Sequence, residues 1–300
     1  MGLNKIKKRF SYLFISIKDK LYGTNKSFDT TQVKNLVLIV GPYRNLTSYL
    51  TSILSLHSNC KVLNHAGIRV FRNKKINFLK DYSHSKYLQF LRFFDYASEK
   101  GYKGMLGGNI SHSHAFESNT ELSKRFKETL KSKTKPHCFI WKESHMVTER
   151  LMNGVTELEE ILEKNPAIKF FMPVRKPLDC AKSNIKTGKN RFFKHLPSDD
   201  IFDVSKAIFT QHLFFLKIQS KYPDRVFFLF ENEINSEGIE NMCAFLNIEF
   251  DEKWGEIVLS QHTIKSGYDY PHETIEKTRK LVDSLFADYD SFREKLLSLI

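Results

Sequence analysis

The chain has 300 residues, of which 41% are hydrophobic, and it carries a formal net charge of +13 at pH 7. This apolar content is sufficient for one large α/β domain or two smaller ones, and no apolar run has the length of a transmembrane helix. The positive charge predicts an acidic partner, such as a nucleotide, a polyanion, nucleic acid or an anionic membrane surface.

The first 22 residues interleave basic side chains, such as Lys5 and Lys7, with apolar ones such as Phe10. The apolar part is too short and too broken for a signal peptide. Two interpretations remain open: a basic amphipathic helix that rests on anionic lipid, and a helix packed on the edge of the domain. Because 23–31 is a polar linker, we expect an N-terminal segment and linker over 1–31 and a single domain over 32–300.

An apolar, β-branched run over 36–40 predicts the first strand, which Gly41 and Pro42 end. Thr47 and Ser48 then favour the start of a helix. A strand, a tight loop and a helix in this order direct a helix N-terminus and free backbone N–H groups at an anion.

The loop has the spacing of a Walker A motif, with Gly41 and Ser48 in register. Leu46 replaces the second glycine and Thr47 replaces the lysine, so an ordinary NTPase is disfavoured. Arg44 supplies a positive charge at a different position of the loop from the missing lysine. This arrangement suits a different phosphate-like ligand. The alternative is a plain strand–turn–helix unit of an α/β core.

The rest of the chain alternates strands and helices. Further strands are predicted over 59–63, 137–141, 168–174 and 225–230, and helices over 74–100, 119–133, 145–164, 178–187, 201–221, 237–246 and 272–299. The glycine-rich segment 101–115 is predicted to be a flexible loop that could fold over a site. Its His112 and His114 lack an evident third metal ligand. Apolar strands alternating with helices are typical of an α/β fold with a mostly parallel central sheet flanked by helices on both faces.

The four cysteines form no CxxC pair or zinc pattern, and each has apolar neighbours. We therefore expect reduced core residues in a cytoplasmic protein, with membrane-peripheral contact if 1–22 binds lipid. They are Cys60, Cys138, Cys180 and Cys243.

Basic and hydroxyl side chains follow three predicted strands, where ligands bind in open α/β sheets. Arg44 follows the first strand and Lys142 the third, while Arg175 follows the fourth, with Ser183 on the next helix. Together they predict a site for a ligand with more than one phosphate-like group.

These motifs and their order resemble the sulfotransferases that use 3′-phosphoadenosine-5′-phosphosulfate (PAPS). The first loop of that family reads approximately G-x-x-R-S-G-T-[TS]-x-L, and its 3′-phosphate motif reads R-x-P-x-[DE]-x-x-x-S. The matching residues are Gly41, Arg44, Thr47, Ser48 and Leu50 for the loop, and Arg175, Pro177, Asp179 and Ser183 for the second motif. The resemblance spans about residues 33–250 and implies a P-loop nucleotide-kinase-like fold, the sulfotransferase fold.

The resemblance also implies which residues hold the donor, with no metal required. Arg175 and Ser183 would hold the 3′-phosphate. The 5′-phosphosulfate would be held by the first loop, which consists of Gly41, Pro42, Tyr43, Arg44, Asn45, Leu46, Thr47 and Ser48. The implied chemistry is an in-line sulfuryl transfer to a hydroxyl or amine, with cations such as Arg44 and Lys142 stabilising the charge of the phosphate leaving group.

The acceptor needs a general base, for which His65, Glu143 and His145 are candidates at predicted strand ends. By the resemblance, His65 occupies the place of a base at the end of the strand after the loop helix. The ordinary pKa of a histidine side chain is near neutral, which suits the role of a base. A histidine at this position can also simply cap a loop. Other branches of the family use a His shortly after a Lys, which keeps Glu143 and His145 open.

We expect a carbohydrate hydroxyl as acceptor, because a small neutral phenol would not call for this charge. Two other classes remain: a P-loop kinase or NTPase with a degenerate loop, and a basic protein that binds membrane or nucleic acid. No RNP-type aromatic motif or zinc module is present, so no nucleic-acid partner is expected.

Overall fold

A central sheet organises the fold in a computed structural model of the protein. The structure describes Ile15 and residues 24–117, 119–132, 135–193, 198–262 and 268–300. The basic segment 1–22 therefore lies, apart from Ile15, outside the described residues.

The strands are β1 (Asn35–Ile39), β2 (Cys60–Asn64), β3 (Gly108–Asn109), β4 (Cys138–Lys142), β5 (Ile168–Val174) and β6 (Val226–Phe230). In the described part of the chain they form one sheet in the order β3-β2-β4-β1-β5-β6. Every neighbouring pair is parallel except β2 and β3, which run antiparallel. The predicted mostly parallel α/β sheet is thus confirmed.

Helices pack on both faces of this sheet. They are α1 (Thr47–Leu54), α2 (Gly67–Arg72), α3 (His84–Lys100), α4 (His114–Glu117), α5 (Thr120–Ser132), α6 (Ser144–Asn153), α7 (Val155–Lys164), α8 (Pro177–Lys186), α9 (Ile201–Lys221), α10 (Ser236–Leu246), α11 (Glu252–Gln261), α12 (His272–Leu285) and α13 (Asp290–Leu297). Successive residues of β1 enter opposite cores: Leu36 and Leu38 pack into one, and Val37 and Ile39 into the other. No described helix combines the length and apolar character needed to cross a bilayer.

Three predicted helices are shorter or interrupted in the structure. The helix predicted over 74–100 begins only at His84, because the Ser83 side chain accepts a hydrogen bond from Lys86 N and caps it there. The helix predicted over 145–164 is two helices that meet at Gly154. The helix predicted over 272–299 is likewise divided into α12 and α13. Helix α11 lies in a stretch for which no helix was predicted.

The segment 101–115 differs from the predicted loop, because it contains β3, a 3₁₀ turn at Gly104–Leu106, another at Ile110–His112, and the start of α4. Asn109 pairs with Leu63, and Gly108 pairs with Asn64. A strand of two residues has no periodicity, so the sequence could not reveal it. The segment is thereby fixed to the end of β2.

Close backbone packing at Gly107 predicts a large effect of adding a side chain. Gly107 has φ +73°, and a Cβ there would lie 2.0 Å from Ala66 N. We expect Gly107→Ala to lower the free energy of unfolding by about 3 kcal/mol, through overpacking and left-handed strain. Urea denaturation measures it.

Gly104→Ala is the matched control, since Gly104 has φ +65° but no atom within 4 Å of an added Cβ. It should cost about 1 kcal/mol from the backbone alone. Equal losses in the two variants would contradict the packing interpretation.

Strand β6 forms one edge of the sheet, and side chains bind backbone groups at both of its ends. Gln219 Nε2 donates to Val226 O at 3.0 Å. Phe230 N donates to Glu233 Oε2 at 3.4 Å. These bonds satisfy the Val226 carbonyl and the Phe230 N–H, which belong to the first and last residues of this apolar edge strand.

All four cysteines are buried and free in the structure, as the sequence predicted. Cys60 and Cys138 are partners in the β2–β4 register. Burial raises the pKa of the Cys180 and Cys243 thiols to about 12, so both are protonated at neutral pH.

Candidate active site

The carboxyl ends of β1, β2, β4 and β5 open into a pocket of about 730 Å³. One side is formed by the first loop and the start of α1, with Arg175 beside them. A second wall is formed by residues 103–105, 112–114 and Glu117, of which the last four belong to a segment packed against the helix that follows the first loop, and the floor is formed by the ends of β2 and β4. Basic side chains from each part line it: Arg44, Lys103, Lys142, Arg175 and Lys189.

The first loop has an unusual backbone. Gly41 has φ +103°, and Arg44 and Leu46 are in the left-handed region with φ of 63° and 58°. Leu46 immediately precedes α1, whose first N–H groups lack partners within the helix. Thr47 and Ser48, which both carry a hydroxyl, line the same wall of the pocket.

Asn45 fixes the loop to the end of β5. Its Nδ2 donates to Pro173 O, and its Oδ1 accepts a hydrogen bond from Arg175 N at 2.9 Å. Asn45 is buried, with 1% of its surface exposed, and does not line the pocket. Gly41 and Pro42 also lie behind the wall, where Gly41 N donates to Thr148 Oγ1 at 2.8 Å. These three residues build the loop and do not face the pocket.

Arg44 connects the loop to α8, because its Nε donates to Ser183 Oγ at 2.8 Å. Asn184, the next residue of α8, donates to Tyr43 O at 2.8 Å. The two motifs recognised in the sequence, 139 positions apart at Arg44 and Ser183, therefore meet in one site.

Arg175 lies between two buried carboxylates. Its Nη2 is 3.8 Å from Asp179 Oδ2, and its Nε is 3.9 Å from Glu231 Oε1. Asp179 also accepts a hydrogen bond of 2.7 Å from the hydroxyl of Tyr270. Arg175 Nε is buried without a hydrogen-bond partner. The guanidinium is thus oriented by two acids, and Arg175 lines the pocket.

Lys142 is a buried cation at the end of β4. Its Nζ donates to Asn64 Oδ1 at 3.0 Å, and 4% of the residue is exposed. Burial lowers the pKa of the Lys142 ammonium to about 8, although the charge of Glu143 acts in the opposite direction. Its charge is therefore held at a cost that a bound anion would relieve.

His65 and Glu143 face each other at the pocket floor. His65 Nδ1 lies 3.7 Å from Glu143 Oε1, and Glu143 Oε2 accepts a hydrogen bond from Gly67 N at 2.8 Å. The His65 side chain is 31% exposed, whereas that of Glu143 is 3% exposed. His65 is therefore the accessible member of the pair, and Glu143 lies behind it.

The backbone holds His65 at this position. His65 and Ala66 are consecutive left-handed residues, with φ of 59° and 80°. The carbonyl of His65 accepts a hydrogen bond of 2.6 Å from Trp141 Nε1, and its N–H donates to Lys142 O at 2.9 Å. Such strained backbone conformations cluster at functional sites.

His145, the third candidate base, lies outside the pocket wall. It is buried, its Nε2 is 3.0 Å from Phe192 O, and its ring contacts Tyr43 at a centroid distance of 4.8 Å. The structure places it behind the first loop as a packing partner of Tyr43.

The second wall carries polar side chains from the segment that the sequence predicted as a loop. His112, Ser113 and His114 line the pocket, with Lys103 at its mouth. The His112 Nδ1 and Ser113 Oγ atoms are buried and have no hydrogen-bond partner. Among the residues described, no group of three or more His, Cys, Asp or Glu side chains is placed to hold a metal ion.

Several residues at the pocket or supporting it were not predicted. Asn64 directly precedes His65 at a strand end, so the strand-end rule could have identified it. Tyr270 reaches Asp179 from 91 positions along the chain, and no local pattern indicates that contact. Lys189 and Ser113 lie in loops without a motif.

No protein-family model matches the chain, and neither does any curated protein. Among solved structures, this chain is similar to the sulfotransferase domain of the olefin synthase of Synechococcus. The two are 13% identical with a TM-score of 0.43, and the match covers 85% of this chain and 98% of that chain. A sulfotransferase from Alicyclobacillus acidocaldarius shows 12% identity, coverage of 87% and 96%, and a TM-score of 0.42. A mouse sulfotransferase complexed with PAP shows 13% identity, coverage of 90% and 89%, and a TM-score of 0.41. A likeness this distant assigns neither a substrate nor an activity to this chain.

Proposed function

We propose that this protein is a sulfotransferase, which moves a sulfuryl group from PAPS to the hydroxyl or amine of an acceptor. The observation that carries the proposal is the hydrogen bond between Arg44 Nε and Ser183 Oγ, which joins the two motifs that resemble the PAPS-dependent family. The bond between Asn45 Oδ1 and Arg175 N joins them a second time. The two motifs follow β1 and β5, which are neighbouring parallel strands, so their cations and hydroxyls can act on one ligand.

The residues present fit a donor with two phosphate-like groups. Arg175 lines the pocket beside the first loop, and it would hold the 3′-phosphate together with Ser183. Arg44, the Thr47 and Ser48 hydroxyls and the first N–H groups of α1 would hold the 5′-phosphosulfate. Bound PAPS would supply the activated sulfuryl group, with 3′,5′-adenosine bisphosphate (PAP) as the leaving group.

The chain itself supplies the proton acceptor. We assign the general base to His65, since Glu143 lies on its Nδ1 side and leaves Nε2 for the acceptor. As the acceptor oxygen forms its bond to sulfur, the bond to the 5′-phosphate breaks and the acceptor proton passes to His65. Lys142 and Arg44 stabilise the charge that develops on the leaving phosphate.

We propose a carbohydrate as the acceptor. The second wall of the pocket is polar, with His112, Ser113 and Lys103, and Met105 as its exposed apolar side chain. Polar side chains such as these can hydrogen-bond to sugar hydroxyls. The net charge of +13 would also attract an acidic glycan.

The donor is tested by thermal shift with PAP against ATP with Mg²⁺. We expect stabilisation by PAP at concentrations where ATP with Mg²⁺ has little effect. Transfer of labelled sulfate from PAPS to a panel of glycans, glycolipids, alcohols and phenols then tests the reaction. Stabilisation by ATP with Mg²⁺ alone would instead indicate a kinase or NTPase with a degenerate loop.

Arg175→Ala should weaken PAP binding roughly 10- to 100-fold, because it removes a charged donor to the 3′-phosphate. Binding of adenosine 5′-monophosphate, which lacks that group, should change far less. Calorimetry measures both. Lys176→Ala is the matched control, since Lys176 does not line the pocket and only its backbone N–H contacts Glu231. Equal losses for the two nucleotides would refute the assignment of Arg175.

A further inference from the structure

We propose that Glu143 is a positioning residue for the transfer reaction, which keeps the proton of the neutral His65 ring on Nδ1 and leaves Nε2 free to accept the acceptor's proton. This inference rests on the proposed sulfotransferase function and deepens it, because it names the residue that keeps the base in its active form. In this role Glu143 acts through His65 and does not contact the acceptor.

Three consecutive residues at the end of β4 contact His65. Trp141 Nε1 donates to the His65 carbonyl at 2.6 Å, and the Lys142 carbonyl accepts a hydrogen bond from His65 N at 2.9 Å. Glu143 follows, with its Oε1 3.7 Å from His65 Nδ1. The first two contacts hold the backbone of His65 in place, so its side chain begins from a fixed point beside the Glu143 carboxylate.

The Glu143 carboxylate occupies a tight seat. Its Oε2 accepts a hydrogen bond from Gly67 N at 2.8 Å, and its side chain is 3% exposed. A Cβ at position 67 would lie 2.8 Å from Glu143 Cγ and 2.9 Å from Oε2, so the carboxylate can lie here because residue 67 is a glycine. With Oε2 bound to Gly67, Oε1 is the oxygen that faces His65.

A carboxylate selects one form of a neutral imidazole. It can only accept hydrogen bonds, so beside Nδ1 it favours the tautomer that carries the proton on that nitrogen. The distance of 3.7 Å is longer than a hydrogen bond, and bonds of this kind in active sites are often long before the substrate binds. The carboxylate would also stabilise the imidazolium that forms when Nε2 takes the acceptor's proton.

Glu143→Gln is expected to move the proton of the His65 ring. Because Gly67 N needs an acceptor, the amide oxygen of the glutamine takes the place of Oε2, and its NH₂ group then faces Nδ1. The ring accepts at Nδ1 and carries its proton on Nε2. Nitrogen-15 NMR of the histidine rings at about pH 8.5, where imidazoles are neutral, distinguishes the two tautomers. The His65 signals are identified by their loss in His65→Asn.

The same variant should lower kcat about 100-fold, because the base is then in the wrong form. The assay uses the best acceptor found in the labelled-sulfate panel. Calorimetry should show PAP affinity within about twofold, since Glu143 is not among the groups proposed to hold the donor.

A double-mutant cycle separates this role from an effect on Lys142. The charge of Glu143 opposes the effect of burial on the pKa of the Lys142 ammonium, so its removal could also act there. If Glu143 acts through His65, Glu143→Gln should cost less than about threefold in kcat in the His65→Asn background.

Glu117→Gln is the matched control for the spectra, since His114 Nδ1 lies 3.6 Å from Glu117 Oε2 in an exposed pair. It should leave the His65 signals unchanged. If Glu143→Gln does not fold, Glu143→Asp replaces it, because it keeps the charge but withdraws the carboxylate from Nδ1 and should reduce the Nδ1–H tautomer.

Three results would overturn this inference alone: a proton on Nε2 in the unmodified protein, the same tautomer in the Glu143 variant, or an undiminished loss of kcat in the His65→Asn background. Failure of the unmodified protein to bind PAP or to transfer sulfate would instead contradict the proposed function.

Discussion

Replacement of Lys142 with methionine is expected to reduce sulfuryl transfer about 100- to 1,000-fold and, at pH 7, to raise the free energy of unfolding by about 2 kcal/mol. The loss of turnover follows from removing a preorganised cation from the site of charge development. The gain in stability follows from removing an ammonium that is buried before any anion binds.

The size of that gain comes from the pKa. The difference between about 8 for Lys142 and its ordinary value of 10.5 corresponds to about 3 kcal/mol of cost for the charged form. Methionine removes this cost. It also leaves Asn64 Oδ1 without its donor, which destabilises the folded protein by about 1 kcal/mol. The net effect is about 2 kcal/mol.

The pH dependence has a definite sign. Between pH 8 and 10.5 the unfolded chain keeps a proton on Lys142 that the folded protein has released. The stability contribution of this group therefore rises with pH in that window and is absent in the variant. Urea denaturation at pH 7 and pH 10, together with steady-state turnover, measures both effects.

Lys169→Met is the matched control for Lys142→Met. The pKa of Lys169 is also lowered by burial, but its Nζ donates to Phe245 O, away from the pocket. We expect its turnover to be unchanged. If Lys142→Met retained full turnover, or were less stable than the unmodified protein at pH 7, this role for Lys142 would be wrong.

His212→Leu is expected to make the protein more resistant to acid. His212 is fully buried in α9, and neither ring nitrogen has a hydrogen-bond partner. Its ring packs against Phe209 and Phe292 at centroid distances of 6.2 and 6.0 Å. Burial lowers the pKa of His212 to about 3.

Above pH 6.5 the ring is neutral in both the folded and unfolded states, so it contributes no pH dependence. As the pH falls from 6.5 towards 3, the unfolded chain binds a proton that the folded protein excludes, and stability is lost. The loss reaches about 3 kcal/mol at pH 4.5 and about 4 kcal/mol at pH 3. Leucine at this position should remove that contribution.

Urea denaturation at pH 7 and pH 4.5 tests this expectation. His272→Leu is the control, because His272 is exposed and should leave the pH dependence unchanged. If the unmodified protein and His212→Leu lost equal stability between the two pH values, His212 would not be the group responsible.

Much of the sheet was predictable because its strands are short apolar runs bounded by Gly, Pro or polar residues. The run ending at Gly41 and the run over 168–174 both gave strands within a residue or two of those observed. Strand β3 and the helix breaks were not predictable, since tertiary contacts and single caps determine them. Ser83, for example, sets the start of α3 with one hydrogen bond.

The candidate site was predictable only where chemistry follows a strand end. Arg44, His65, Lys142 and Arg175 meet at one pocket because the carboxyl ends of parallel strands share one edge. His65 and His145 are equally good candidate bases in the sequence, and only their burial in the structure distinguishes them. His65 faces the pocket, whereas His145 packs behind it. A missing hydrogen-bond partner, such as that of Ser113 Oγ, can be recognised only when all the atoms around the side chain are known.

The side chains that bind the ends of β6 have a consequence beyond the fold. The strand reads Val-Phe-Phe-Leu-Phe, without charge or proline, which is the composition of a segment prone to amyloid-like stacking. An exposed edge of this kind can recruit strands from other copies. With Val226 O engaged by Gln219 and Phe230 N by Glu233, an incoming strand would have to displace an existing bond at each end. The chain thereby keeps an aromatic edge strand and limits its capacity to seed aggregation.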